Sequence, residues 1–260
     1  MQDRTELHRT VTGNSGERFL AGHSIVVAGG TGNVGRYLVR ALLERGARVI
    51  VPSRTAEHLE TLRASIGEDH VGRLVPIVGD LSDETDAVRL RQRLKTHQPV
   101  HGAVASLGRF VPAPSLLSAP VGDLRQALND YVIAHFQAAR TLIPLIEDGG
   151  SYIFINGPLA FEPMFDGAGL VSVVTAAQAM LARVLFKESK ASGIRVNEVV
   201  VYTPFGWGDK ASSSGPLPQG DVAQYVAHLV SAKGAFVRGQ TIHLRSSQVF
   251  EAFEPLGSSV

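Results

Sequence analysis

The sequence predicts a single α/β domain, with a mostly parallel sheet of about seven strands covered by helices on both faces. Three observations lead there. Short runs rich in β-branched residues alternate with longer amphipathic segments along the whole chain. Those runs are apolar at successive positions, as strands buried on both faces are. The first of them leads directly into a glycine-rich turn and then a helical segment. Parallel neighbours need crossover connections, so the alternation implies this sheet rather than hairpins.

Taken in order, residues 25–28, Ile-Val-Val-Ala, read as the first strand, and 34–45 carry helical spacing behind it. Strand 49–51 precedes helix 56–66, and strand 74–78 precedes helix 84–96. Strand 100–105 is followed by an irregular, proline-containing segment, 108–121, and then by a long helix expected over 124–146. Strand 152–155, helix 171–189, strand 196–201, helix 221–231 and strand 241–244 complete the series. A second irregular stretch, 203–220, is rich in Gly, Ser and Pro. In doubly wound sheets the loops after strand C-termini surround the ligand crevice, which makes both irregular stretches candidate substrate loops as well as ordinary connections.

Composition narrows the function classes. A chain of 260 residues with 44% hydrophobic content suits one domain with a full core. A net charge of +1 offers no basic footprint for nucleic acid or a membrane surface. The absence of cysteine excludes disulfides, thiolate nucleophiles and zinc–thiolate sites. Residues 1–20 read as a polar, flexible leader without the apolar run of a signal peptide, and no later apolar stretch reads as long enough to span a bilayer. The expectation is a cytoplasmic protein with its domain over 21–248 and a tail over 249–260.

The turn after the first strand carries the chemistry. Gly29, Gly32 and Gly35 stand at the spacing G-x-x-G-x-x-G between a strand and a helix, with Thr31, Asn33 and Val34 between them. Glycine there permits a tight turn and close approach to a pyrophosphate resting on the helix N-terminus. A tight turn that binds nothing is the plainer alternative. At the end of the second strand an NAD site would place a carboxylate, and this chain has Ser53 and Arg54. Ser53 does not repel a 2′-phosphate and Arg54 can pair with one, so NADP is expected in preference to NAD. Asp80 and Leu81 follow the third strand, where a carboxylate can accept from an adenine amino group or simply shape a turn.

With these pieces, the stretch Ala28-Gly-Gly-Thr-Gly-Asn-Val-Gly35, the Gly79-Asp80-Leu81 turn, Gly193-Ile-Arg-Val-Asn197 and Arg238-Gly-Gln-Thr-Ile-His-Leu244, the chain resembles the short-chain dehydrogenase/reductase family over about residues 22–248. The resemblance implies a Rossmann-type doubly wound fold, a nicotinamide cofactor, a small-molecule substrate, and homodimers or homotetramers built on the helices at 124–146 and 171–189. It extends the cofactor-binding set to Ala105 and Thr175. It also marks a departure. The family's Ser and Tyr-x-x-x-Lys would fall at Asn156 or Gly157, at Val171 and at Thr175, and no Tyr-x-x-x-Lys occurs anywhere in the chain.

Replacement candidates are few. Tyr131 and His135 are four apart on an expected helix that borders the nicotinamide pocket in the family, so they would share one face. Tyr202 stands where the family meets the carboxamide, and Asn156 could orient a carbonyl or cap its strand. Core packing, an interface or solvation is the plainer role for each, as it is for Glu162 and Asp166 in the loop after the fifth strand. Three functional readings follow: an NADP(H)-binding enzyme with a rebuilt site doing redox or non-redox chemistry, a catalytically inactive dinucleotide sensor or partner subunit, and an ordinary NADP-dependent oxidoreductase whose active residues lie elsewhere.

Overall fold

Period-two alternation divides the central strands between two cores. Ile25, Val27, Val49, Val51, Val104, Ile153, Ile155, Val199 and Val201 belong to one, and Val26, Ala28, Ile50, Ala103, Ala105, Tyr152, Phe154 and Val196 to the other. Strands that must bury both faces need this pattern, and each fully buried aliphatic side chain contributes about 1.5–3 kcal/mol. The computed structural model describes residues 17–110, 112–113, 115–205 and 216–246.

The elements run β1 (Ser24–Ala28), α1 (Gly35–Glu44), β2 (Arg48–Ser53), α2 (Ala56–Ser65), β3 (Leu74–Val78), α3 (Glu84–Lys95), β4 (Val100–Ala105), α4 (Val121–Leu128), α5 (Ala134–Leu142), β5 (Ile146–Asn156), α6 (Gly169–Glu188), β6 (Arg195–Val201), α7 (Gln219–Val230) and β7 (Thr241–Leu244). The seven strands pair in the order β3-β2-β1-β4-β5-β6-β7, every neighbour parallel. Helices α1, α2 and α7 supply Leu38, Leu42, Leu59, Leu62, Val226 and Leu229 to the first core. Helices α3, α5 and α6 supply Leu90, Leu94, Ala138, Leu142 and Ala182 to the second. The doubly wound α/β architecture expected from the sequence is the one observed.

Three expectations are corrected. The helix over 124–146 is not continuous: α4 passes into a π turn over Asn129–Ile133, then α5, then a 3₁₀ turn over Ile143–Leu145. Pro144 lies in that last turn, where its missing N–H and ring stop an α-helix. Residues 17–20, read as the end of a leader, pack into the fold: Leu20 is fully buried and its N–H bonds to the Arg45 carbonyl at 2.9 Å. Residues 1–16, the tail over 249–260, and residues 111, 114 and 206–215 of the two irregular stretches lie outside the described residues. Finally, Gly169–Ser192 is by length and composition apolar enough to cross a membrane, with a mean hydropathy of 1.7 over its most apolar window. One side of that helix, including Leu170, Val171, Val174, Gln178 and Ala182, is buried against the domain, as a core helix of this fold requires.

Candidate functional site

Strand order reverses between β1 and β4, which opens a crevice above their C-terminal ends. The Ser106 N–H bonds to the Ala28 carbonyl at 2.9 Å, holding the two strand ends together. Gly29 leaves β1 at φ +79°, and a Cβ there would collide with the Ser106 carbonyl. At Gly35 a Cβ would collide with the Gly29 carbonyl, so the turn folds back tightly against the start of α1. No side chain caps α1 at Val34, and the Arg36 and Tyr37 N–H groups turn back onto the Gly32 and Val34 carbonyls, both at 3.1 Å, so the positive end of the helix sits at the turn. A cradle of backbone without room for Cβ atoms, on a helix N-terminus, fits a pyrophosphate.

From this cradle a cavity of about 300 Å³ runs over the ends of β1, β2 and β3 and stops at β4. Gly29, Thr31 and Gly32 line it on one side, Ser53 and Arg54 at the end of β2, and Asp80 and Leu81 beyond β3. Asp80 Oδ1 accepts from the Ser82 N–H and hydroxyl at 2.8 and 2.7 Å, closing a local turn. Arg54 is exposed and makes no ion pair among the described residues. Asn33, Val34, Gly35, Ala105 and Thr175 do not line the cavity. Gly35, Ala105 and Thr175 are buried, and Asn33 faces Arg36 instead.

Several lining residues were not singled out by the sequence. Arg109 and Asp130 close the β4 side as an ion pair at 2.9 Å. His58 lines the β2 side from the first turn of α2. Arg109 and His58 carry a positional signal, each a few residues past the C-terminal end of a strand beside the crevice, whereas Asp130 reaches it from the π turn.

The structure engages both members of the Tyr131–His135 pair in packing. Tyr131 lies in the π turn, its ring against Gly108, where a Cβ would strike it; burial and then Asp130 push its phenol up to about 12. His135 is fully buried on the sheet-facing side of α5 and stacks on Phe154 of β5, ring centres 5.8 Å apart. Its Nδ1–H donates to the Tyr131 carbonyl at 2.8 Å, and burial drives the imidazole down to about 4. The expectation of a shared, cleft-facing surface used α spacing. A π turn ends between the two residues and changes the phase.

Asn156 ends β5 with its amide committed. Its Nδ2 donates to the Thr175 carbonyl at 3.1 Å and to Glu198 Oε1 at 2.8 Å, while Oδ1 accepts from the Gly157 N–H at 2.8 Å. The buried carboxylate of Glu198 also accepts from the Thr241 hydroxyl at 3.0 Å. Thr175 turns its own hydroxyl back onto the Val171 carbonyl at 2.6 Å, and Val171 is buried beside it. Tyr202 stands otherwise. Its hydroxyl meets His243 Nδ1 at 2.8 Å and accepts from the Arg245 guanidinium at 2.6 Å; Tyr202 follows β6 and His243 lies within β7, both partly exposed. Phe161 packs edge-on against His243, with ring centres 4.8 Å apart. Burial, followed by Arg245, lowers the His243 imidazole. Glu162 and Asp166 are exposed. The loop after β4 lies over the start of α6: Phe110 contacts Phe165, Ala113 bridges Ala168, and Leu116 fills the space beside Gly169.

Comparison with known proteins adds the following. A family model described as short chain dehydrogenase matches residues 23–203. Divinyl chlorophyllide a 8-vinyl-reductase, chloroplastic, of Oryza sativa subsp. indica is 32% identical over 220 residues, covering 81% of this chain and 52% of that protein. The chain thus spans about half the length of the curated vinyl-reductase relatives it matches. A dehydrogenase/reductase crystal structure from Sinorhizobium meliloti 1021 is 27% identical, with a TM-score of 0.76 and coverage of 90% of this chain and 97% of that one. A short chain dehydrogenase from Burkholderia cenocepacia J2315 in complex with NADP shares the fold at a TM-score of 0.75 and 22% identity, covering 88% of this chain and 99% of that one.

Proposed function

The chain belongs to the short-chain dehydrogenase family, and from that premise we propose that it binds NADP(H) and acts on a small molecule through a rebuilt proton-transfer site. The observation that carries the cofactor reading is the Cβ-free cradle at Gly29 and Gly35 opening onto a cavity that ends at Ser53 and Arg54. The turn would hold the pyrophosphate, Arg54 the 2′-phosphate, and Asp80 the adenine amino group. When bound, the cofactor supplies hydride-transfer chemistry. The NADP complex of the Burkholderia relative agrees with this choice of nucleotide.

Proton transfer we assign to Tyr202, which is partly exposed and whose hydroxyl is held between His243 and Arg245. His135 is buried and neutral, and Asn156 has no amide group to spare. A second reading, a catalytically inactive cofactor sensor or partner subunit, is favoured by the same engagement of Asn156 and Thr175 in structural hydrogen bonds. Either form is proposed to assemble as a homodimer or homotetramer.

Titration by nicotinamide fluorescence tests the assignment. NADPH is expected to bind about tenfold or more tighter than NADH, and Arg54→Ala to remove most of the difference; equal affinities in the unaltered protein overturn the NADP reading. NADPH consumption across a panel of ketones, aldehydes and activated alkenes then separates the two forms. Consumption that falls about tenfold or more in Tyr202→Phe supports the rebuilt site, and no consumption supports the sensor.

A further inference from the structure

His58 stands four residues beyond Arg54, in the first turn of α2, and lines the same cavity as Ser53 and Arg54. Thr55, at the N-cap of that helix, makes no side-chain capping bond, so the helix end adds its own partial positive charge at the same place. Both Arg54 and His58 are exposed, and neither is committed to an ion pair among the described residues. Asp80 and Asp130 are the carboxylates that line the cavity. Asp80 is engaged by Ser82 beyond β3, and Asp130 by Arg109 beside β4. The end of β2 therefore gathers two donor side chains and a helix N-terminus around one arm of the cavity.

We propose that His58 is a second determinant of cofactor choice, donating from its imidazole N–H to the 2′-phosphate that Arg54 pairs with. The proposal rests on the NADP(H) reading above and names a residue that reading does not need. A phosphate monoester offers three acceptor oxygens, more than Arg54 alone can satisfy, so a second donor adds to the discrimination. NADH presents only a ribose hydroxyl there and gains much less from either side chain.

Binding measurements with purified His58→Ala and His58→Arg decide the matter. The ligands are NADPH and NADH, with adenosine 2′,5′-bisphosphate and adenosine 5′-monophosphate as probes of the adenosine end alone. His58→Ala is expected to weaken NADPH and the bisphosphate about tenfold, the scale of one charge-assisted hydrogen bond, and to leave NADH and the monophosphate unchanged. His58→Arg is expected to keep the preference. Alanine suits an exposed helical position, and circular dichroism checks that the fold survives. If the unaltered protein prefers NADPH and His58→Ala keeps that preference in full, the role of His58 is overturned while the NADP reading stands. Equal loss of NADPH and NADH likewise overturns it. An unaltered protein without any preference overturns both.

Discussion

His135 shows what burial does to one residue. Its Nδ1–H is satisfied by the Tyr131 carbonyl, whereas Nε2 has no hydrogen-bond partner, the Ala105 carbonyl lying near but outside bonding geometry. Burial penalises the imidazolium and takes the group from an ordinary 6.5 to about 4, against the smaller pull of those two carbonyls. The unfolded chain therefore takes up a proton below about pH 6.5 that the native chain refuses until about pH 4. Stability should be fully present above that window and fall as pH drops through it, by up to about 3 kcal/mol. His228, lowered to about 4 by burial and then by Lys233, acts in the same direction. Urea unfolding at several pH values checks this. In His135→Gln the fall between neutral and acid pH should shrink by most of that amount, and an unchanged fall would remove His135 from the account.

At the scale of elements, the segment from Val121 to Leu145 is the one whose form matters most. Its π turn sets the Tyr131 ring against Gly108, in the loop that leaves β4 at φ +108°. The contact ties the helix to the strand end that borders the cavity. Gly108→Ala should therefore destabilise for two separable reasons: a backbone conformation that alanine resists and a collision with the ring. In a Tyr131→Ala background only the first remains. A double-mutant cycle should give a coupling of about 1 kcal/mol or more, and additive effects would mean that the ring moves aside freely. The turn itself left little trace in the sequence. No glycine or proline marks the π turn over Asn129–Ile133, whereas the stop at Pro144 was open to view.

For the whole molecule, the open question is what covers α6. Val173, Met180 and Val184 fall on one stripe of it and remain about half exposed, as do Ile133 and Phe136 nearby. Contiguous apolar surface of this kind marks an interaction face, and the proposed assembly would bury it between copies of the chain. A stable interface needs about 1,000 Å² or more of total buried area, which two such helical faces can provide. Light scattering at micromolar concentration should give a dimer or tetramer. Val173→Glu with Met180→Glu should shift it to a monomer with its circular dichroism intact. A monomeric unaltered protein would count against the proposal.

The sequence by itself determined the succession of seven strands and their crossover helices, because those follow from local periodicity and from glycine and proline at the turns. It determined the backbone cradle as well, since Gly29 and Gly35 stand where side chains cannot fit, and it put Ser53 and Arg54 at the end of β2. Tertiary structure alone decided which polar residues meet. Tyr202 and His243 lie 41 positions apart and touch only because β6 pairs with β7. His58 reaches the cavity only because α2 starts beside the ends of β2 and β3. Tyr131 and His135, joined by spacing in the sequence, pack against Gly108 and Phe154, partners that only the fold brings to them. Local preference sets the kind of element, and the direction a side chain faces depends on contacts between residues far apart in the chain.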